Sequence, residues 1–251
     1  MVPASEQASE RTWLARLSAN EIERWGRYQV PAAQRRYLYC HMLLRYAAGQ
    51  LKKSNAAPDL SISHDVMGRP NLHVAATPYA VSLSRSHGMV ACAISEFGSR
   101  IGVDVESYPQ FGWSLTEMAC TTMSADEASD WSSVCNDPQR SFLLNWCAKE
   151  AYAKALGVGL LRDPSTYRLV PKALTGAGPK AFDIRDDMLI QARAWHTHLS
   201  VTDTGHIVSA VCDGAEIGPP VLIRDLAAMI SIDAAADLSV TRELTNPEPT
   251  R

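Results

Sequence analysis

Asp104 and Glu106 stand two residues apart in Gly102-Val103-Asp104-Val105-Glu106, and Ile101, Val103 and Val105 alternate with them. This period-two pattern predicts a half-buried strand, with the valines facing a core and both carboxylates projecting from the opposite face. Two carboxylates side by side repel, and a divalent cation relieves that repulsion. An all-oxygen donor set of this kind favours magnesium or manganese over zinc. The same pattern also fits an ordinary solvated strand face.

Downstream lies Trp146-Cys147-Ala148-Lys149-Glu150-Ala151-Tyr152-Ala153-Lys154. Pro138 can open a helix here, and Gly157 and Gly159 can close it. Trp146, Glu150 and Lys154 follow at i, i+4 and i+8, so they share one stripe, with Lys149 on a neighbouring one. Leu143, Tyr152 and Leu156 supply apolar anchoring elsewhere on the helix. Glu150 can then face a cation while Lys154, one turn on, faces an anion held by the same cation. Taken alone, the glutamate–lysine pair also fits an exposed helical ion pair, a common arrangement worth about 0.3–0.5 kcal/mol. The two segments together supply three carboxylates and two lysines, an inventory suited to metal-assisted phosphate chemistry.

The order of these segments resembles that of the 4'-phosphopantetheinyl transferases, and more narrowly the larger, pseudo-dimeric kind that activates surfactin synthetase. Upstream, Gly68-Arg69-Pro70-Asn71 is similar to the family's Gly-Lys/Arg-Pro element. Val81-Ser82-Leu83-Ser84-Arg85-Ser86-His87-Gly88 is similar to its Phe-Asn-Leu-Ser-His-Ser segment, and Arg35-Arg36-Tyr37 through Leu43-Leu44-Arg45 to its early helix. The resemblance runs from about Ser18 to about Cys212. It departs at Arg85, where the family has histidine.

The resemblance implies an α+β fold of two similar α/β halves forming a pseudo-dimer, with the ligand site at their interface. The expected division is an N-terminal half over 1–104, a C-terminal half with the motif helix over 105–218, and a tail over 219–251. It implies that coenzyme A donates its phosphopantetheine arm to a serine of an apo carrier protein (acyl, polyketide or peptidyl) while 3',5'-ADP leaves. Magnesium would be held by Asp104, Glu106 and Glu150. Asp104, Glu150 and Lys154 would be catalytic, with Glu150 also able to accept the serine proton. Coenzyme A would be held by Arg36, Arg69, Arg85, Lys149 and Lys154, because guanidinium and ammonium groups suit phosphate, and by Ser84, which with Arg85 can present backbone amides to phosphate oxygens. Two other readings share these motifs. One is a non-catalytic module that binds coenzyme A or a carrier, and the other a magnesium-dependent pyrophosphate hydrolase.

Composition narrows the field. The chain has 251 residues, 46% of them hydrophobic, enough for one large domain or two small ones. A net charge of -3 is not that of a nucleic-acid binder. Residues 1–60 carry nine lysines and arginines against five acids, a local positive excess that suits a phosphorylated ligand or an acidic partner. No run of eighteen apolar residues and no signal-like start appears, so neither a membrane span nor secretion is expected. Six cysteines without a C-x-x-C pair read as reduced thiols of a cytoplasmic protein, and a pseudo-dimeric chain is expected to be monomeric. Cys147 has no histidine beside it in sequence and is not placed as a nucleophile.

The remaining patterns predict helices over 17–28 and 32–51, with Ser18 as a cap, and strands over 60–66, 80–83, 89–95 and 100–106. A helical stretch over 117–134 carries a capping box at Ser124 and Glu127. Strands then recur over 167–170, 181–184, 188–198 and 206–213. His196 and His198 share a strand face and read as structural histidines. Gly157-Val158-Gly159 follows its helix rather than preceding one, so it reads as a helix stop and not as a phosphate loop.

Overall fold

The computed structural model describes residues 10–51, 60–65, 69–96, 98–107, 115–135, 137–172, 181–188, 194–213 and 217. Gly68 and the expected tail over 219–251 lie outside the described residues. The described chain falls into two compact units, one holding residues 10–51 and the other residues 60–217. This division differs from the expected 1–104 and 105–218, because the Gly-Val-Asp-Val-Glu strand lies inside the second unit rather than at a boundary.

The first unit is helical. A short helix α1 (residues 10–14) precedes α2 (Ala19–Gly26) and α3 (Pro31–Leu51). Ser18 caps α2 as expected, in a reciprocal capping box with Glu21. Glu21 is itself buried, and its carboxylate takes His41 Nδ1 at 2.6 Å and both Arg45 Nη1 and Nη2, at 2.9 and 2.6 Å. Burial would push this carboxyl up, but the His41 and Arg45 hydrogen bonds outweigh it and hold the group well below the usual carboxylate range. Trp13, Leu17, Tyr37, Leu38 and Met42 form the apolar core beside it.

The second unit is mixed. Strands β1 (Leu60–His64), β2 (Pro70–Val74), β3 (Thr77–Ser86) and β4 (Met89–Glu96) form an antiparallel meander in that order. β5 (Ile101–Glu106) pairs with β9 (Ile207–Cys212), which pairs in turn with β8 (His196–Val201). β6 (Arg168–Pro171) and β7 (Phe182–Arg185) make a third, two-stranded sheet. The fold is therefore α+β, as expected. β2 is not among the strands expected from the sequence; of the strand expected over 188–198, residues 189–193 lie outside the described residues and β8 begins at His196. The helical stretch over 117–134 breaks into α4 (Leu115–Thr122) and α5 (Ala125–Val134), with Ser124 Oγ accepting from Glu127 N at 3.2 Å. The reciprocal half of that box is missing, because the Glu127 side chain turns inward to Asn145, Leu169 N and Lys149.

The motif helix α6 spans Pro138–Leu156, as its flanking residues predict. Asp137 caps it through Gln139 N and Arg140 N, and Gly157 ends it in the left-handed region at φ 77°. Between Ser141 and Leu156 every residue is buried except Trp146, Glu150, Lys154 and Leu156. The i, i+4, i+8 stripe is thus the side of this otherwise buried helix that stays accessible. The opposite faces pack with Trp131, Tyr167, Leu169, Phe182, Leu199, Ile207 and Val211 in the main core.

The expectation for β5 needs correction. Ile101, Val103, Val105 and Asp104 are all buried, so the strand is covered on both faces instead of one. α6 lies across the face that carries Gly102, Asp104 and Glu106. A Cβ on Gly102 would stand 1.9 Å from the Ala151 carbonyl oxygen and 2.5 Å from the Ala155 nitrogen. Glycine is required there because helix backbone and strand backbone touch.

Candidate active site

Three alternate positions of β3, Ser82, Ser84 and Ser86, face the backbone of β5. Their hydroxyl oxygens accept Val103 N at 3.0 Å, Val105 N at 3.3 Å and Ser107 N at 3.1 Å. Both strands have a two-residue repeat, so serines at i, i+2 and i+4 meet N–H groups at j, j+2 and j+4. Side chains thereby join β5 to the meander and satisfy amides that would otherwise be buried unpaired.

The same hydroxyls reach the carboxylates. Ser84 Oγ donates to Asp104 Oδ1 at 2.7 Å, and Ser86 Oγ donates to Glu106 Oε2 at 3.3 Å. From α6, Lys154 Nζ donates to Asp104 Oδ1 at 2.6 Å and to Ser84 Oγ at 2.9 Å. Asp104 is 4% exposed, and its second oxygen, Oδ2, is buried without a hydrogen-bond partner. Asp104, Ser84 and Lys154, drawn from β5, β3 and α6, thus form one tight cluster.

The neighbouring acids feel Asp104. Burial, and then the Asp104 charge, push the Glu106 carboxyl up to about 7, against weaker opposing hydrogen bonds from Ser86 and Trp146. Glu150 is raised by the same two causes in the same order. Below them the Cys147 thiol is fully buried and raised well above its usual value by burial and by both Asp104 and Glu106. It is no nucleophile at neutral pH.

Among the described residues, no three His, Cys, Asp or Glu side chains lie close enough to hold a metal ion between them. Asp104 is instead engaged by Lys154. The donor chemistry nevertheless fits a hard divalent cation. One Asp104 oxygen is buried and unpartnered, and Glu106 and Glu150 are both destabilised as anions by the Asp104 charge, which a cation would relieve.

Two residues expected at the donor, Lys149 and Arg69, are engaged within the fold. Lys149 is 1% exposed, paired with Glu127 at 2.9 Å, and its Nζ donates to the Pro164 and Tyr167 carbonyls at 2.6 and 2.9 Å. It also lies 4.7 Å from the centre of the Tyr167 ring. Burial lowers this amine, opposed by Glu127. Lys149 is a core ion-pair partner because the neighbouring helix stripe faces inward, and sequence spacing alone does not say which stripe that is.

Arg69 sends Nη2 to the Lys154 carbonyl at 2.6 Å, the Ala155 carbonyl at 3.3 Å and the Ile101 carbonyl at 3.4 Å. It therefore caps the C-terminus of α6, where orphan carbonyls and the negative end of the helix favour a cation. Ser84 uses its hydroxyl on Asp104, Lys154 and Val105. Arg85 is exposed and alternates with Ser84 and Ser86, so it lies on the other face of β3 from the carboxylates. Arg36 is half-buried on α3 in the other unit. The joining of β3 to β5 by Ser82 and Ser86 is not read from the sequence, although with Ser84 they show an i, i+2, i+4 spacing.

His196 and His198 fall on β8. His198 Nε2 is buried without a hydrogen-bond partner, and burial lowers the imidazole. Cys40, Cys92, Cys135, Cys147 and Cys212 are free thiols. Among the described residues, no helix is long and apolar enough to cross a membrane.

No curated protein sequence matches the chain. Residues 100–212, which supply β5, the motif helix, β8 and β9, match the family model of the 4'-phosphopantetheinyl transferase superfamily, and this similarity supports a transferase.

Proposed function

We propose that the protein is a magnesium-dependent 4'-phosphopantetheinyl transferase of the larger, pseudo-dimeric kind, acting in the cytoplasm on an apo acyl, polyketide or peptidyl carrier protein. The observation that carries this reading is the Asp104–Ser84–Lys154 cluster, with Glu106 and Glu150 beside it, inside the stretch that matches the superfamily.

Asp104, Glu106 and Glu150 are the residues that would hold magnesium, and the ion would neutralise charge on the pyrophosphate of coenzyme A. Lys154 brings a fixed positive charge to the same place, held in orientation by Asp104 and Ser84 and still partly accessible from the helix stripe. Glu150 is accessible on that stripe, and its raised basicity favours its role as proton acceptor. The carrier serine oxygen attacks the phosphorus that bears the pantetheine arm. The bond from that phosphorus to the bridging oxygen breaks, and 3',5'-ADP leaves with the electron pair. The serine proton passes to Glu150. The nucleophile belongs to the carrier, so this chain needs no serine or cysteine of its own.

The decisive test is intact-mass measurement of an apo carrier incubated with the protein, coenzyme A and magnesium. A gain of one phosphopantetheine group is expected. Coenzyme A turnover without any gain in carrier mass would point to a hydrolase. Coenzyme A binding without turnover would point to a binding module.

Magnesium binding should depend on pH. Raised carboxyls favour the protonated, folded form. The stability they contribute is present below the ordinary carboxylate value and is lost as pH rises to about 7, where Glu106 titrates. A bound cation reverses that penalty. Magnesium should therefore raise Tm more at about pH 8 than at about pH 5.5, because the carboxylates must be ionised to bind it. Equal shifts at the two pH values would place metal binding away from these acids.

Arg36 and Arg85 remain candidates for the donor's 3'-phosphate, on the resemblance. If Arg85 binds it, Arg85→Ala should raise KM for coenzyme A about tenfold and change kcat less, since the contact is remote from the bond that breaks. With dephospho-coenzyme A the substitution should then matter little. An equal penalty on both donors would remove Arg85 from the 3'-phosphate.

A further inference from the structure

A serine hydroxyl has one proton to give and two lone pairs to share. At Ser84 all three are committed. The oxygen accepts from Val105 N at 3.3 Å and from Lys154 Nζ at 2.9 Å, and the proton goes to Asp104 Oδ1 at 2.7 Å. With two N–H donors directed at the oxygen, the hydroxyl proton points to the carboxylate. The Asp104 Oδ1 that receives it is also approached by Lys154 Nζ, at 2.6 Å.

We infer that Ser84 is a positioning residue of the active site: its hydroxyl sets the rotamer of Asp104 and the direction of the Lys154 ammonium. This inference rests on the transferase reading for its kinetic consequences but not for the geometry. Ser86 repeats the arrangement less tightly, with Ser107 N as donor and Glu106 as acceptor.

Ser82 provides an internal control. It accepts Val103 N at 3.0 Å, as Ser84 accepts Val105 N, but the residue preceding Val103 is Gly102, which has no carboxylate to orient. Removing the Ser82 hydroxyl therefore removes strand stitching alone. Removing the Ser84 hydroxyl removes the same stitch and the seat of Asp104 and Lys154 besides.

The test compares Ser82→Ala, Ser84→Ala and Ser84→Thr in the full chain. Ser84→Ala should lower kcat about tenfold or more, with KM for coenzyme A and for dephospho-coenzyme A both within about threefold of the parent. Ser82→Ala should lose similar thermal stability and keep its kcat, and Ser84→Thr should recover part of the kcat. A second readout is independent of activity. In protein labelled with 15N-lysine, the Lys154 ammonium, assigned by its loss in Lys154→Met, should be protected from solvent exchange. Its exchange should speed up about tenfold in Ser84→Ala but not in Ser82→Ala. Lys149 provides a buried reference signal unaffected by either.

Three outcomes would overturn the proposal: equal kcat losses in Ser82→Ala and Ser84→Ala, a KM rise in Ser84→Ala confined to coenzyme A, or unchanged Lys154 exchange in Ser84→Ala. Should the parent protein modify no carrier, the transferase reading fails while the exchange measurement still decides the role of Ser84. Should Ser84→Ala not fold, Ser84→Cys is read by the same two measurements, since sulfur keeps the volume and offers only weak hydrogen bonds.

Discussion

Asp104→Ala should abolish transfer of the phosphopantetheine arm while leaving the chain folded. Asp104 touches Ser84 and Lys154, presents an unpartnered oxygen, and is the charge that raises both Glu106 and Glu150. Its loss takes away a proposed magnesium ligand and the anchor of Lys154 in one step. A fall in kcat of roughly a hundredfold or more is expected, the scale on which one preorganised charge contributes to a transition state. Glu150→Ala should match it, because Glu150 is proposed as both ligand and proton acceptor. Glu106→Ala should cost less if water can take its place. Lys154→Ala should lower kcat with little change in magnesium affinity. The measurement is carrier mass against time at saturating coenzyme A, with Tm recorded for each variant. Near-normal, magnesium-dependent transfer by Asp104→Ala or Glu150→Ala would falsify the site.

The second large effect is expected from a residue with no side chain. Gly102→Ala would place a methyl group 1.9 Å from the Ala151 carbonyl oxygen and 2.5 Å from the Ala155 nitrogen, both fixed in the backbone of α6. Neither can swing aside as a flexible side chain would, so the helix must lift from the strand. Overpacking usually costs about 1–3 kcal/mol, and a clash with backbone belongs at or above the top of that range. Tm should fall by roughly 2–4 °C for each kcal/mol lost in a chain of this size. Activity should fall beyond what the lower stability explains, because lifting α6 draws Lys154 away from Asp104. A Gly102→Ala protein with the parent's denaturation midpoint and kcat would show that helix and strand do not approach this closely.

Features whose signals are short in range were legible from neighbouring residues alone. Alternating valines specify β5, Pro138 and Gly157 bracket α6, and the spacing of Trp146, Glu150 and Lys154 puts them on one stripe. Each rests on backbone geometry that repeats every two or 3.6 residues, so neighbours in the chain suffice to read it. Ser18 as a helix cap was legible for the same reason.

Tertiary structure decided everything that depends on which surfaces meet. Lys149 and Lys154 are five residues apart on one helix, yet one is sealed against Glu127 and the other reaches Asp104. Their spacing cannot say which stripe faces the core, since that depends on what packs over it. Arg69 reads as a phosphate ligand in its motif and serves instead to cap a helix that begins 69 residues later in the chain. The strand expected to expose one face is buried on both, because α6 covers the carboxylate side. That covering changes the chemistry: Glu106 and Glu150, which would ionise freely in water, are raised by burial and by the Asp104 charge, and so take a proton more readily. Residue types and order supplied the ingredients of this site, and the packing of α6 and β3 around β5 supplied the environment in which they can react.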